Sequence, residues 1–162
     1  MIRDVGLTKS DTGTRQLNTL VEWTGYLSVA PLVLCLAGVG LLPDYSWQEL
    51  AQRAALAWGA LLLVAAAAVH WGLALAGRLP APRLRGAAVL AAALAGAGGV
   101  LLGGQRGLAL LVIGHGVFWT YEKHSLGSLL PAAHLALRRQ LTFATCMLLA
   151  LTMFVSDAAG LS

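Results

Sequence analysis

Long uncharged runs alternate with short polar stretches along this chain, and the run lengths decide the class of protein. Residues 1–22 are polar and mix charges of both signs, so they predict a short tail, with no apolar run of signal-peptide length at the start. Residues 23–42 then form a first apolar run, with Trp23 and Tyr26 at one end, Pro43 closing the other and Pro31 inside it. A proline within a membrane helix predicts a kink near Leu27, where a carbonyl loses its donor. Ser46 and Glu49 stand at the spacing of a capping box, which predicts a second helix starting near Trp47 and entering lipid after Arg53. Residues 54–77 contain no charged side chain. At 1.5 Å per residue they reach roughly 36 Å, more than a hydrocarbon core of about 30 Å. Gly77, Pro80 and Pro82 end this second span sharply.

Three more runs follow. Residues 86–105 are built almost wholly from small side chains, and Ala95, Gly99 and Gly103 recur every four positions, which lines them up as a packing face for a neighbouring helix. Residues 107–121 make a short fourth span flanked by Arg106 and Lys123, and residues 140–156 a clearer fifth. Between these two, residues 122–139 place Leu126, Leu129, Leu130 and Leu137 at helical spacing among polar and basic positions, which predicts an amphipathic segment lying on the membrane surface. The predicted fold class is therefore all-α: a polar tail over 1–22, then a membrane domain over 23–158 with spans near 23–42, 53–77, 86–105, 107–121 and 140–156.

Composition agrees. Of 162 residues, 58% are hydrophobic and 11% charged, under half the charge of an ordinary soluble domain, so lipid must cover most of the surface. The formal charge of +4 is unevenly placed. Arg3, Lys9, Arg15, Arg78, Arg83, Arg85, Lys123, Arg138 and Arg139 fall on one side of the five spans, against Arg53 and Arg106 on the other. This is the positive-inside pattern, with the N-terminus inside and the C-terminus outside a bacterial cytoplasmic membrane. Topology and anionic lipid account for the basic balance without nucleic acid.

Candidate chemistry is sparse. Past Arg53 at the edge of the second, the five predicted spans contain no Asp, Glu, Lys or Arg, which leaves His70 and His115 as their groups able to titrate near neutral pH. Each lies eight residues before a basic residue, Arg78 or Lys123, so their depths match. A paired haem ligand or a quinone pocket would use both; a hydrogen bond from each imidazole to a neighbouring helix is the simpler expectation. Glu122, His124 and His134 are spaced too irregularly for a metal site, and Cys35 and Cys146 lie on separate spans as small packing residues. Trp71, Trp119 and Tyr121 are expected in an aromatic belt.

The second span, with Trp58 and Gly59 at its start and His70, Trp71 and Gly72 at its finish, resembles the signature of the domain of unknown function 3429 family of small multi-pass membrane proteins. Arg138 and Thr142, within Leu-Arg-Arg-Gln-Leu-Thr, resemble the opening of that family's last helix. The resemblance implies a five-span bundle and brings no activity with it. The expected function is a non-enzymatic accessory or assembly component of a membrane complex, with a hydrophobic-molecule binder using His70 and His115 as the alternative. Lipid and another membrane complex are the expected partners, and a homo-oligomer is compatible with the small-residue face.

Overall fold

The computed structural model describes the backbone of residues 5–77, 82–126 and 132–161, and the side chains of 23–77, 83–125 and 135–161. Among these residues all regular structure is helical: α1 (Val5–Leu41), α2 (Tyr45–Leu75), α3 (Pro82–Leu102), α4 (Gly104–Leu126) and α5 (Ala132–Ala158). Four stretches are long and apolar enough to cross a membrane: Trp23–Leu41, Tyr45–Leu75, Arg83–Leu102 and Leu135–Ala158. The chain thus has the make-up of a multi-pass membrane protein. Helix α4, which carries Gln105, Arg106, Glu122 and Lys123, is not among the four.

Several boundaries differ from the expected ones. The polar N-terminal stretch is helical from Val5 onward and forms the first turns of α1 instead of a loose tail. The helix continues through Pro31. Helix α2 starts at Tyr45 with Asp44 as its N-cap residue, and no side chain caps it. The Ser46–Glu49 capping box does not form, because Glu49 turns to Arg53 one helical turn on, at 2.5 Å. The predicted surface segment over 122–139 is replaced by extensions of its neighbours. Helix α4 runs on to Leu126 and α5 begins at Ala132, while Leu129, Leu130 and Pro131 lie outside the described residues.

Helix α2 touches all four others, and the remaining contacts close a ring: α3 on α4, α4 on α5, and α5 back on α1. The inward residues of α2 explain this placement. Gln52, Ala55, Leu56, Gly59, Ala60, Leu63, Ala67 and His70 recur at three- and four-residue intervals and are all buried. Leu32, Leu108, Leu111 and Leu149 from the neighbouring helices complete the core. Outside it, Leu34, Leu90, Leu101, Ile113, Phe143 and Phe154 point away from the bundle, as a lipid-facing surface requires.

Small residues set the helix spacing. A Cβ at Gly96 would touch Ala60 of α2, and one at Gly99 would meet Leu111 of α4 at 2.8 Å. A Cβ at Gly107 would overlap the Gly99 carbonyl outright. Ala95 lies against Gly114 on the same interface. Gly103 serves a different purpose: with Gly104 it turns the chain between α3 and α4 at φ of 63° and 47°, a region glycine enters without strain. The four-residue stripe is therefore spent within the chain, on α4 and on the turn leading to it.

The α3–α4 contact yields a test with opposite signs. Gly107→Ala is expected to destabilise the bundle by about 1–3 kcal/mol through overpacking against backbone that cannot yield. Gly116→Ala, where a Cβ meets nothing within 4 Å, is expected to gain up to about 1 kcal/mol of helix propensity. Thermal unfolding of both variants in the same detergent checks the pair.

Candidate functional site

The bundle contains a buried charge cluster that straddles four helices near the end where α2 passes to α3 and α4 to α5. His70 of α2 is completely buried, and Glu122 of α4 and Arg85 of α3 are 2% and 5% exposed. Arg138 of α5 reaches in from the edge. Its guanidinium grips the Glu122 carboxylate as a fork, Nε donating to Oε1 at 3.1 Å and Nη2 to Oε2 at 2.9 Å. Such two-pronged, charge-assisted bonds are among the strongest a side chain makes.

His70 sits between this ion pair and a second guanidinium. Its Nδ1 lies 3.5 Å from Arg85 Nη1 and its Nε2 3.6 Å from Glu122 Oε1. A guanidinium only donates, so Nδ1 must carry the lone pair facing Arg85, and the ring proton sits on Nε2, directed at the carboxylate. The Nε2 contact stops just short of a hydrogen bond. Aromatic rings hold the imidazole in place: Phe118 edge-on with centroids 5.3 Å apart and Tyr121 tilted at 5.7 Å. Tyr121 therefore belongs to the bundle interior and not to an aromatic belt, and its hydroxyl and that of Ser125, one turn further along α4, are buried without a hydrogen-bond partner.

His115 occupies a different level. Its Nε2 lies 3.0 Å from the Gly59 carbonyl and donates to it, whereas His70 stands eleven residues beyond Gly59 on α2, about 16 Å of helix rise. The expectation of matched depths fails because α4 continues past Tyr121, so the count back from Lys123 is not a count from the membrane face. The two imidazoles do not converge. A shared haem or quinone site between them does not fit: the nitrogens of His70 face Arg85 and Glu122, and a cavity of about 50 Å³ beside His115 is far below cofactor size.

The remaining expected positions have structural roles. Trp58 Nε1 donates to the Ser28 carbonyl at 2.8 Å, tying α2 to α1 one residue past the carbonyl that Pro31 leaves free. Gly59 lies close under Leu111 and Leu149. Trp71 covers Gly86 of α3, Gly72 meets nothing, and Thr142 borders the small cavity. His124 bonds the Thr120 carbonyl at 2.7 Å, and the side chain of His134 lies outside the described residues. Glu122 is turned inward, and no metal-holding group of His, Cys, Asp or Glu occurs among the described residues. Cys35 and Cys146 are free and half-buried.

Sequence reasoning missed Glu122, Arg85 and Arg138 as interior groups by ending the spans at the first charge. One signal was available. Glu122 is the only carboxylate between Glu49 and Asp157, set among Arg78, Arg83, Arg85, Lys123, Arg138 and Arg139. A lone acid facing many bases is a natural pairing centre.

The opposite end of the bundle holds a wider, partly open cavity of about 440 Å³ between the start of α2, the α3–α4 turn and Leu161. There the buried Gln52 donates to the Leu161 carbonyl at 3.1 Å. Gly160, at φ 74°, ends α5 in a Schellman turn, with Leu161 N–H donating to the Ser156 carbonyl and Gly160 N–H to that of Asp157. Gln105 of α4 secures Asp157 at 2.6 Å. No ionised cluster lines this cavity apart from the exposed Glu49–Arg53 pair.

Comparison of the chain with family models, with curated proteins and with solved structures finds no match.

Removing one partner of the fork strands a charge. Arg138→Met is expected to cost about 3 kcal/mol, the low end for a buried pair because Arg138 retains some exposure. The double variant Glu122→Leu/Arg138→Met is expected to lose less than the sum of the single losses. A double-mutant cycle from unfolding in detergent reads that coupling.

Proposed function

We propose that this chain is a non-enzymatic multi-pass protein of the bacterial cytoplasmic membrane that serves as an accessory or assembly component of a larger membrane complex, through contacts between helices. One observation carries the reading: the charged and imidazole side chains described within the bundle are committed to other helices of the same chain. Glu122 is taken by Arg138, with His70 and Arg85 beside it, and His115 is taken by the Gly59 carbonyl. The outer surface offers large apolar side chains on every helix. Such a molecule presents shape and hydrophobic surface to its neighbours and keeps its polar groups for its own cohesion.

The same reading makes α4 a fifth span. Its 23 residues reach about 34 Å, and α2, α3 and α5 surround it, so its polar side chains need not face lipid. Five crossings put the N-terminus and the basic connections inside and Leu161 outside. The resemblance of the α2 signature to the domain of unknown function 3429 family belongs to this reading, since Trp58, Gly59, His70 and Trp71 all hold α2 to its neighbours.

Two measurements test it. A reporter fused after Ser162 is expected to report the outside, and one before Met1 the inside. Purification in mild detergent is expected to recover the chain with other integral membrane subunits. Both termini on one side would refute the five-span arrangement, and a chain that always purifies alone or only with itself would refute the accessory role.

A further inference from the structure

A partly open cavity of about 50 Å³ lies where α1, α2, α4 and α5 meet, bordered by Ser28, His115, Arg138, Thr142 and Thr145 on its polar side and by Val29, Leu62, Ala66 and Leu141 on its apolar side. Its lining has more hydrogen-bonding capacity than the protein uses. The fork to Glu122 engages Nε and Nη2 of Arg138, which leaves the two N–H groups of Nη1. His115 donates from Nε2 to the Gly59 carbonyl, so its Nδ1 is an acceptor. Thr120 and Thr152 return their hydroxyls to carbonyls four residues earlier, at 2.9 and 2.8 Å. Thr145, only 3% exposed, makes no such bond and borders the cavity instead.

Buried polar groups of this kind are nearly always satisfied. We propose that the polar side of this cavity is a hydration site, holding water that accepts from Arg138 Nη1, donates to His115 Nδ1 and bonds the Thr145 hydroxyl. Size selects water, and the polar side of the lining supplies its partners. A cavity needs roughly 10–15 Å³ to admit one molecule, so this one holds up to about three and nothing as large as a cofactor. The charge balance points the same way, since Glu122 already neutralises Arg138 and no further anion is called for. The bound water joins His115 to the Arg138–Glu122–His70 cluster, so that one continuous polar network links α2, α4 and α5.

The test uses the full chain in lipid vesicles. Thr145→Val keeps the shape and removes the hydroxyl. If water occupies the site, the variant loses a satisfied bond and its melting temperature is expected to fall by about 3 °C. A dry cavity predicts the reverse, because a methyl is better than an unpartnered hydroxyl, so a melting temperature that rises or holds overturns the proposal. Water-edited solid-state NMR on the unaltered protein supplies a second readout that does not depend on the variant folding. Magnetisation from water is expected to reach the His115 ring while leaving the Leu63 and Leu149 methyls of the sealed core dark. A His115 ring as dark as those methyls overturns it.

Discussion

A carboxylate in a medium of low dielectric cannot stay ionised alone, and the architecture of this bundle follows from how Glu122 meets that constraint. Taking one such ion out of water costs several kcal/mol even after relaxation, and the cost is offset only when geometry is good and the remaining lone pairs are used. Arg138 supplies a two-pronged bond, and His70 turns its ring proton toward the same carboxylate. Arg85 stands behind His70 and fixes which nitrogen bears that proton. Four helices are thereby held in one rotational register. Slipping any of them by a single residue would swing its contribution about 100° away from the cluster and leave a charge facing apolar side chains.

Cohesion elsewhere must come from close packing, since lipid chains compete equally for apolar side chains. The chain answers with glycine and alanine at the points of nearest approach. Gly99 against Gly107 brings α3 and α4 almost to backbone contact, Gly96 does the same for α3 on α2, and Gly38 meets Ala51 where α1 approaches α2. Helix α1 has no described part in the charge cluster and is held by other means, through Trp58 on the Ser28 carbonyl and Gly25 beneath Leu141. The buried polar groups and the small residues thus join helix to helix around a leucine-rich core, while further large apolar side chains such as Leu34, Leu90, Leu101 and Phe143 cover the outside. That division of labour is what makes an accessory role through the outer surface the most economical reading.

Much of this was legible in the residues themselves. Long uncharged runs identify the helices because a bilayer leaves the backbone no other way to satisfy its hydrogen bonds, and the Ala95–Gly99–Gly103 repeat marks a contact face because side-chain size alone limits how near two helices can come. Turn glycines and prolines place the C-terminal ends of α1, α2 and α3 to within a few residues, whereas the starts of α1 and α5 lie well before the expected ones. The errors share one cause. Taking charges as span boundaries puts Glu122 and Arg138 on a surface segment and Arg85 in a loop, and misplaces the depth of His115 in consequence.

Sequence by itself therefore determined that the chain is helical and has the make-up of a multi-pass membrane protein, since these properties depend on the run lengths and side-chain types of single segments. Only the tertiary structure decided which charges lie inside and what each imidazole faces. A buried ion is tolerated or forbidden by its partner, and the partners of Glu122, on α2 and α5, lie 52 residues before it and 16 after it in the chain. No local pattern carries that information, because the energy that permits the charge exists only once the helices have met.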